Sequence, residues 1–136
     1  FDDTGLEQAR EISLCPVLGI GESSFLLSYL FSGETAVITT VHEAVPIIKK
    51  NIKNAGYSTL ISEVIAADVE VLDLEFSPAQ SAVKFAQASK ALNGSTQNII
   101  LGCAGAVKIK DEFETITGYR SFDGVTSAAK LCRALL

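Results

Sequence analysis

The run TAVITT, Thr35 to Thr40, most narrows what this chain can become. It is six residues long, largely β-branched, and follows the turn-forming pair Ser32-Gly33, as a strand buried on both faces would be. Such a strand needs helices above and below its sheet. The rest of the chain supplies them, because apolar runs alternate with amphipathic segments and no internal repeat or low-complexity tract interrupts them. This is the pattern of β/α units around a mostly parallel sheet. At 136 residues and 48% hydrophobic content, the chain is long enough for one domain with its own core.

Thr4 and Glu7 have capping-box spacing, and Leu6, Ala9 and Ile12 form a short apolar stripe, so a helix is expected to about Ser13. CPVLGI reads as a short strand or extended link. A second helix opens at Gly21-Glu22, carries FLLSYLF and closes at Ser32-Gly33; being apolar nearly all round, it is expected to be buried. Val45, Ile48 and Ile52 share a face of the next helix, which tolerates Pro46 in its first turn and stops at Gly56. TLISEVIA and VEVLDLEF supply one or two further strands. Ser77-Pro78 starts a helix with Ala82, Phe85, Ala86 and Ser89 on one face, ended by Asn93-Gly94. NIIL is a strand, Val107 to about Thr117 a helix, YRSF a strand, and Gly124 to Leu136 a last helix. In that helix Val125, Ala128, Ala129, Cys132, Leu135 and Leu136 form an apolar face that needs a partner surface.

A net charge of -5 without a basic cluster argues against nucleic acid as a partner. No run of 18 apolar residues is present, and no basic-then-apolar leader, so neither a membrane span nor a signal peptide is expected. Cys15, Cys103 and Cys132 are too widely spaced for a zinc site and read as reduced thiols of a cytoplasmic protein. The chain begins FDD and contains no methionine, which suggests that translation starts upstream of Phe1.

In an open α/β sheet, ligands collect beyond the carboxyl ends of the strands. Four segments fall there: Gly19 to Glu22, Thr39-Thr40, Gly102-Cys103-Ala104-Gly105 and Asp123-Gly124. Around Cys103 the small residues admit a ligand to the backbone. A helix start there would offer N–H groups to an anion and favour the thiolate. The alternative is that Cys103 only packs, since cysteine is among the most buried residue types. Cys15 and Cys132 read as structural, and His42, the single histidine, as a helix-start surface residue. Thr39 and Thr40 either bind a ligand through their hydroxyls or cap the next helix. Glu22 reads as a first-turn carboxylate and Asp123 as an N-cap, while GIGESS has neither phosphate-loop spacing.

Taken together and in this order, FDDTGLEQAR, CPVLGIGES, AVITT, VLDLEF, IILGCAGA and FDGVTSAAKL resemble the aspartate/glutamate/hydantoin racemase superfamily, and within it the hydantoin and allantoin racemase branch. The resemblance covers the whole chain. It implies one of two pseudo-symmetric α/β lobes, with a parallel sheet, flanking helices and a substrate pocket between the lobes. Residues 1–16 would end the first lobe and cross over, 17–122 would be the second lobe, and 123–136 would be a helix returning to the first. The partners implied are a small-molecule substrate and an N-terminal lobe of the same protein, with room for a homo-oligomer.

The resemblance further implies that Cys103 is the catalytic cysteine of the second lobe. The first-lobe cysteine would lie directly before Phe1, outside this chain. Phe1, Thr39, Thr40, Gly102, Ala104 and Gly105 would then line the substrate. The activity implied is cofactor-independent racemisation of a hydantoin-type ring, with no metal, one cysteine acting as base and the other as acid. Two other outcomes are compatible with the same scaffold: a decarboxylase or cis-trans isomerase of small acids, or a non-catalytic small-anion binding module.

Overall fold

The computed structural model describes residues 1–135; Leu136, expected on the apolar face of the last helix, lies outside them. Four strands form one wholly parallel sheet in the order β2-β1-β3-β4, with β1 at Glu34–Thr39, β2 at Ile61–Ala66, β3 at Thr96–Leu101 and β4 at Arg120–Asp123. TAVITT and NIIL thus become the two central strands. Their period of two divides the core. Ala36, Ile38, Ile99 and Leu101 face one layer, while Val37 and Ile100 face the other, all of them fully buried.

On the first face lie α4 (Asp73–Phe76), α5 (Pro78–Ser89), a 3-10 helix (Ala104–Ile109) and α6 (Lys110–Thr117), which contribute Leu74, Ala82, Phe85, Ile109 and Phe113. On the second lie α2 (Ile20–Tyr29) and α3 (Ala44–Asn54), contributing Phe25, Ile48 and Ile52. Two elements complete the chain: α1 (Leu6–Ile12) precedes α2, and α7 (Gly124–Leu135) follows β4 and packs on α2. Ser77 and Pro78 stand at the N-cap and first turn of α5 as expected, and Gly56 follows α3 in the left-handed region at φ 81°. CPVLGI contains no strand: Pro16 to Gly19 form a link and Ile20 already opens α2.

Several expectations are corrected. VEVLDLEF is not a strand: after Ala67 and Val69 each donate one hydrogen bond to the end of β1, the chain turns and forms α4. Only Val69 and Leu74 of that run are buried, while Val71, Leu72 and Phe76 are exposed. Short apolar runs do not distinguish a strand from a turn of helix, and here the chain must climb from the sheet edge to reach α5. The helix after Cys103 begins with six residues of 3-10 geometry and becomes α-helical only at Lys110. The Thr4–Glu7 box does not form, because Gly5 at φ 79° takes the N-cap position of α1 and leaves Thr4 one residue too early.

The burial of α2 differs from the expectation of a helix covered all round, while the apolar face of α7, which was expected to need a partner surface, is uncovered in this chain. In α2 the buried residues are Gly21, Ser23, Ser24, Phe25 and Ser28, whereas Leu26, Tyr29 and Leu30 are exposed. The serines return their hydroxyls to the helix itself: Ser23 to the Gly19 carbonyl, Ser24 to Gly21 and Ser28 to Phe25, at 2.6, 2.6 and 2.8 Å. A serine satisfied in this way behaves as a small packing residue, which allows two helices to approach closely. In α7, Gly124 and Ser127 are buried, and Val125, Ala129, Cys132 and Leu135 are exposed. Cys132 is therefore not a core residue of this chain.

Candidate active site

The strand order marks the candidate site. The connection leaving β1 runs outward to β2 and the one leaving β3 runs the other way to β4, so the connections part at the carboxyl ends of β1 and β3, where ligands gather in open α/β sheets. Thr39 and Thr40 end the first of these strands, and Gly102-Cys103 follows the second. A hydrogen bond joins them: Thr39 Oγ1 donates to the Gly102 carbonyl at 3.0 Å. Beneath it the Gly102 N–H donates to the Ile38 carbonyl at 2.8 Å, prolonging the ladder by one residue.

Gly102 has no space for a side chain, since an added Cβ would stand 2.8 Å from Val37 Cγ1 and 3.3 Å from Thr39 Cβ. The chain can therefore pass low between the two strands and then rise at Cys103. This cysteine is extended, at φ -144° and ψ 143°, half-buried, and packed on one side against the core beneath α5 and the 3-10 helix. Its carbonyl accepts from the Ala106 N–H at 3.1 Å, while the N–H groups of Cys103, Ala104 and Gly105 have no acceptor among the described residues. Leu74 of α4 lies over Gly105.

Of the predicted site residues, the structure gathers Thr39, Thr40, Gly102, Cys103, Ala104 and Gly105 at the carboxyl ends of β1 and β3. Neither threonine caps the next helix, whose N-cap position is Glu43. Thr39 is completely buried and spends its proton on Gly102, and Thr40 is 3% exposed. Phe1 stands at the same edge of the sheet, one strand further on. Its ring meets Phe25 edge-on, with centroids 6.1 Å apart, and lies against Gly124 at the end of β4, whose last residue Asp123 pairs with Leu101 of β3. The Phe1 side chain is 3% exposed, so it acts here as packing beside the site.

Asp123 does cap α7, accepting from the Thr126 N–H at 2.7 Å through Oδ1, and it is buried. His42 is exposed and stands 3.0 Å from the Asp68 carboxylate, far too open for a buried catalytic dyad. Glu22 lies in the first turn of α2 and pairs with Arg10. None of four surface concavities among the described residues is lined by Cys103. No group of three metal-binding side chains occurs among the described residues.

The residue that sequence reasoning missed is Asp3. Its carboxylate accepts from the N–H groups of Gly21 and Glu22, at 3.0 and 2.8 Å, and so caps α2 from eighteen residues upstream. Only a cap close in sequence could have been read from spacing.

The family model for Asp/Glu/hydantoin racemases matches residues 1–132. The chain belongs to this family. Among curated relatives, the hydantoin racemase of Rhizobium meliloti is 37% identical over the whole of this chain, and that of Pseudomonas sp. (strain NS671) is 27% identical. The chain spans 57% and 55% of their lengths, a little over half of each. Among solved structures, allantoin racemase from Pseudomonas fluorescens superposes with a TM-score of 0.92 at 28% identity, covering 99% of this chain and 58% of that one. Allantoin racemase from Klebsiella pneumoniae gives 0.88 at 26%, covering 98% and 56%. Glutamate racemase from Thermus thermophilus, at 19% identity and a TM-score of 0.66, shares the fold.

Proposed function

We propose that this chain is the Cys103-bearing half of a cofactor-independent racemase acting on a hydantoin-type ring, either allantoin or a 5-substituted hydantoin. One observation carries the reading. Cys103 stands half-buried at the point where the connections of β1 and β3 part, and its own N–H and those of Ala104 and Gly105 have no acceptor among the described residues. That arrangement offers a sulfur able to move a proton next to donors able to hold an oxyanion. The names of the relatives support the ring class.

In the whole protein a second cysteine directly precedes Phe1, and the placement of Phe1 at the same edge of the sheet supports this. One sulfur, as thiolate, takes the hydrogen from the ring carbon next to a carbonyl. The electron pair moves onto the carbonyl oxygen, and the enolate is held by the N–H groups of Cys103, Ala104 and Gly105. The opposite thiol then returns a proton to the other face and is left as thiolate. For the other enantiomer the two sulfurs exchange roles, and no atom is gained or lost. Thr39 shapes the site by holding the Gly102 carbonyl back from the ligand.

The test is the loss of optical rotation from enantiopure allantoin and from an enantiopure 5-substituted hydantoin, followed with the full-length protein against buffer. The expected result is decay to zero rotation well above the spontaneous rate for at least one of them. Decay at the buffer rate for both, with the starting ring intact, refutes the reading.

A further inference from the structure

The segment Phe1-Asp2-Asp3 is held to the rest of the lobe by more contacts than three residues at the edge of a fold require. Asp3 adopts φ 51°, in the left-handed region that side-chain-bearing residues seldom enter, and thereby turns both carboxylate oxygens onto the first turn of α2. Gly21 can only be glycine beneath it: an added Cβ would stand 2.6 Å from the Phe1 carbonyl oxygen and 2.9 Å from Asp3 Oδ2. Gly124, the first residue of α7, is constrained likewise, with Phe1 Cε2 at 3.0 Å and the Ile20 carbonyl at 2.7 Å from such an atom. From α3, the Asn51 side-chain amide donates to the Asp2 carbonyl. Three helices therefore grip one tripeptide, and Asp3 is the only charged side chain in the grip that points inward at backbone N–H groups.

From this geometry we infer that Asp3 is a positioning residue for the reaction, clamping the backbone at Phe1 so that the side chain immediately before it faces Cys103 across the substrate. The inference rests on the two-cysteine reading proposed above. Asp3 lies on one side of the bond it controls and touches no substrate. It acts by fixing α2 to Phe1, whose ring abuts the end of β4, while the neighbouring strand β3 delivers Cys103. Proton transfer demands that each sulfur stand within hydrogen-bond reach of the same carbon from opposite faces, and a displacement of about 1 Å costs on the order of 100-fold in rate. A carboxylate that accepts two backbone N–H bonds resists such displacement better than a neutral side chain.

Full-length protein carrying Asp3→Ala and Asp3→Asn is assayed for inversion by polarimetry and for exchange of the ring hydrogen in deuterium oxide. With Asp3→Ala, kcat for inversion is expected to fall on the order of 100-fold. KM should change by less than about threefold, since substrate binding itself is not removed. Asp3→Asn, which keeps one accepting oxygen, should fall in between. The distinguishing signature is exchange without inversion: the enantiomer whose hydrogen is taken by Cys103 continues to exchange while its inversion is lost. Inversion at the wild-type rate in a folded Asp3→Ala protein overturns the inference, as does an equal loss of exchange and inversion for both enantiomers. Should Asp3→Ala not fold, Asn51→Ala releases the same tripeptide from α3, and unchanged exchange-to-inversion ratios in it and in Asp3→Asn overturn the inference equally. If the wild-type protein itself does not racemise, it is the functional reading that fails.

Discussion

At the scale of single residues, the candidate site depends on a threonine whose hydroxyl is spent within the fold and caps no helix. Thr39 is fully buried, and its hydroxyl joins the ends of the two central strands by donating to the Gly102 carbonyl. Replacing it with valine keeps the shape and removes the donor, leaving a buried carbonyl unpaired. Thr39→Val should cost about 1–3 kcal/mol in urea unfolding. The cost should come with reduced activity, because Gly102 positions Cys103; an unchanged midpoint would show that the bond is not formed. Gly102→Ala should be worse than a loss of contact, since the new methyl meets Val37 at 2.8 Å and overpacking of this kind costs about 1–3 kcal/mol. The segment GCAG could be singled out from sequence because small residues around a cysteine at a strand end are unusual for a core. The role of Thr39 could not, because a partner 63 residues away leaves no local trace.

At the scale of elements, α6 is tied to β4 through Glu114, whose carboxylate accepts from the Ser121 N–H and hydroxyl and from Lys110, each at 2.8 Å. Burial alone would raise its pKa. The hydrogen bonds from Lys110 and Ser121 outweigh burial, and the carboxyl is held below its ordinary value of 4.5. A lowered folded-state pKa adds stability that is present above the unfolded value and is lost as pH falls through the folded one. Stability should therefore decline from just above pH 4.5 downward. Glu114→Gln should flatten that part of the curve, as measured by thermal unfolding across a pH series. A slope identical in wild type and variant would contradict this.

The buried serine sides of α2 and α7 give a sharper test. Ser127→Leu, at the buried contact of α7 with α2, should destabilise by about 1–3 kcal/mol. Leu30→Ser, on the exposed side of α2, should stay within about 0.5 kcal/mol when the same 136 residues are melted. The opposite ranking would show that the serine-bearing sides of these helices are not the packed ones. The expectation that α2 is covered all round failed for a definable reason: hydrophobicity ranks serine as polar, yet Ser23, Ser24 and Ser28 bond to their own helix and then pack as small residues. TAVITT, NIIL and the Ser77-Pro78 start were legible because each is decided locally, by β-branching or by proline. VEVLDLEF was not, because its path is set by where α5 must begin.

At the scale of the molecule, an all-parallel sheet in the order β2-β1-β3-β4 leaves one point where connections part, and the small-residue segment carrying Cys103 falls there. The order could not be read from the sequence, since short runs of apolar residues fix strands but not their neighbours. Once it is known, the cluster of Thr39, Thr40 and Gly102 to Gly105 follows from topology alone. The chain spans only a little over half the length of its relatives. The most direct measurement is the fate of the ring hydrogen in deuterium oxide with full-length protein, wild type beside Cys103→Ser. The account predicts that wild type exchanges solvent deuterium into the inverted product, and that Cys103→Ser slows inversion of both enantiomers by about 100-fold or more. Inversion by the serine variant at the wild-type rate would contradict it.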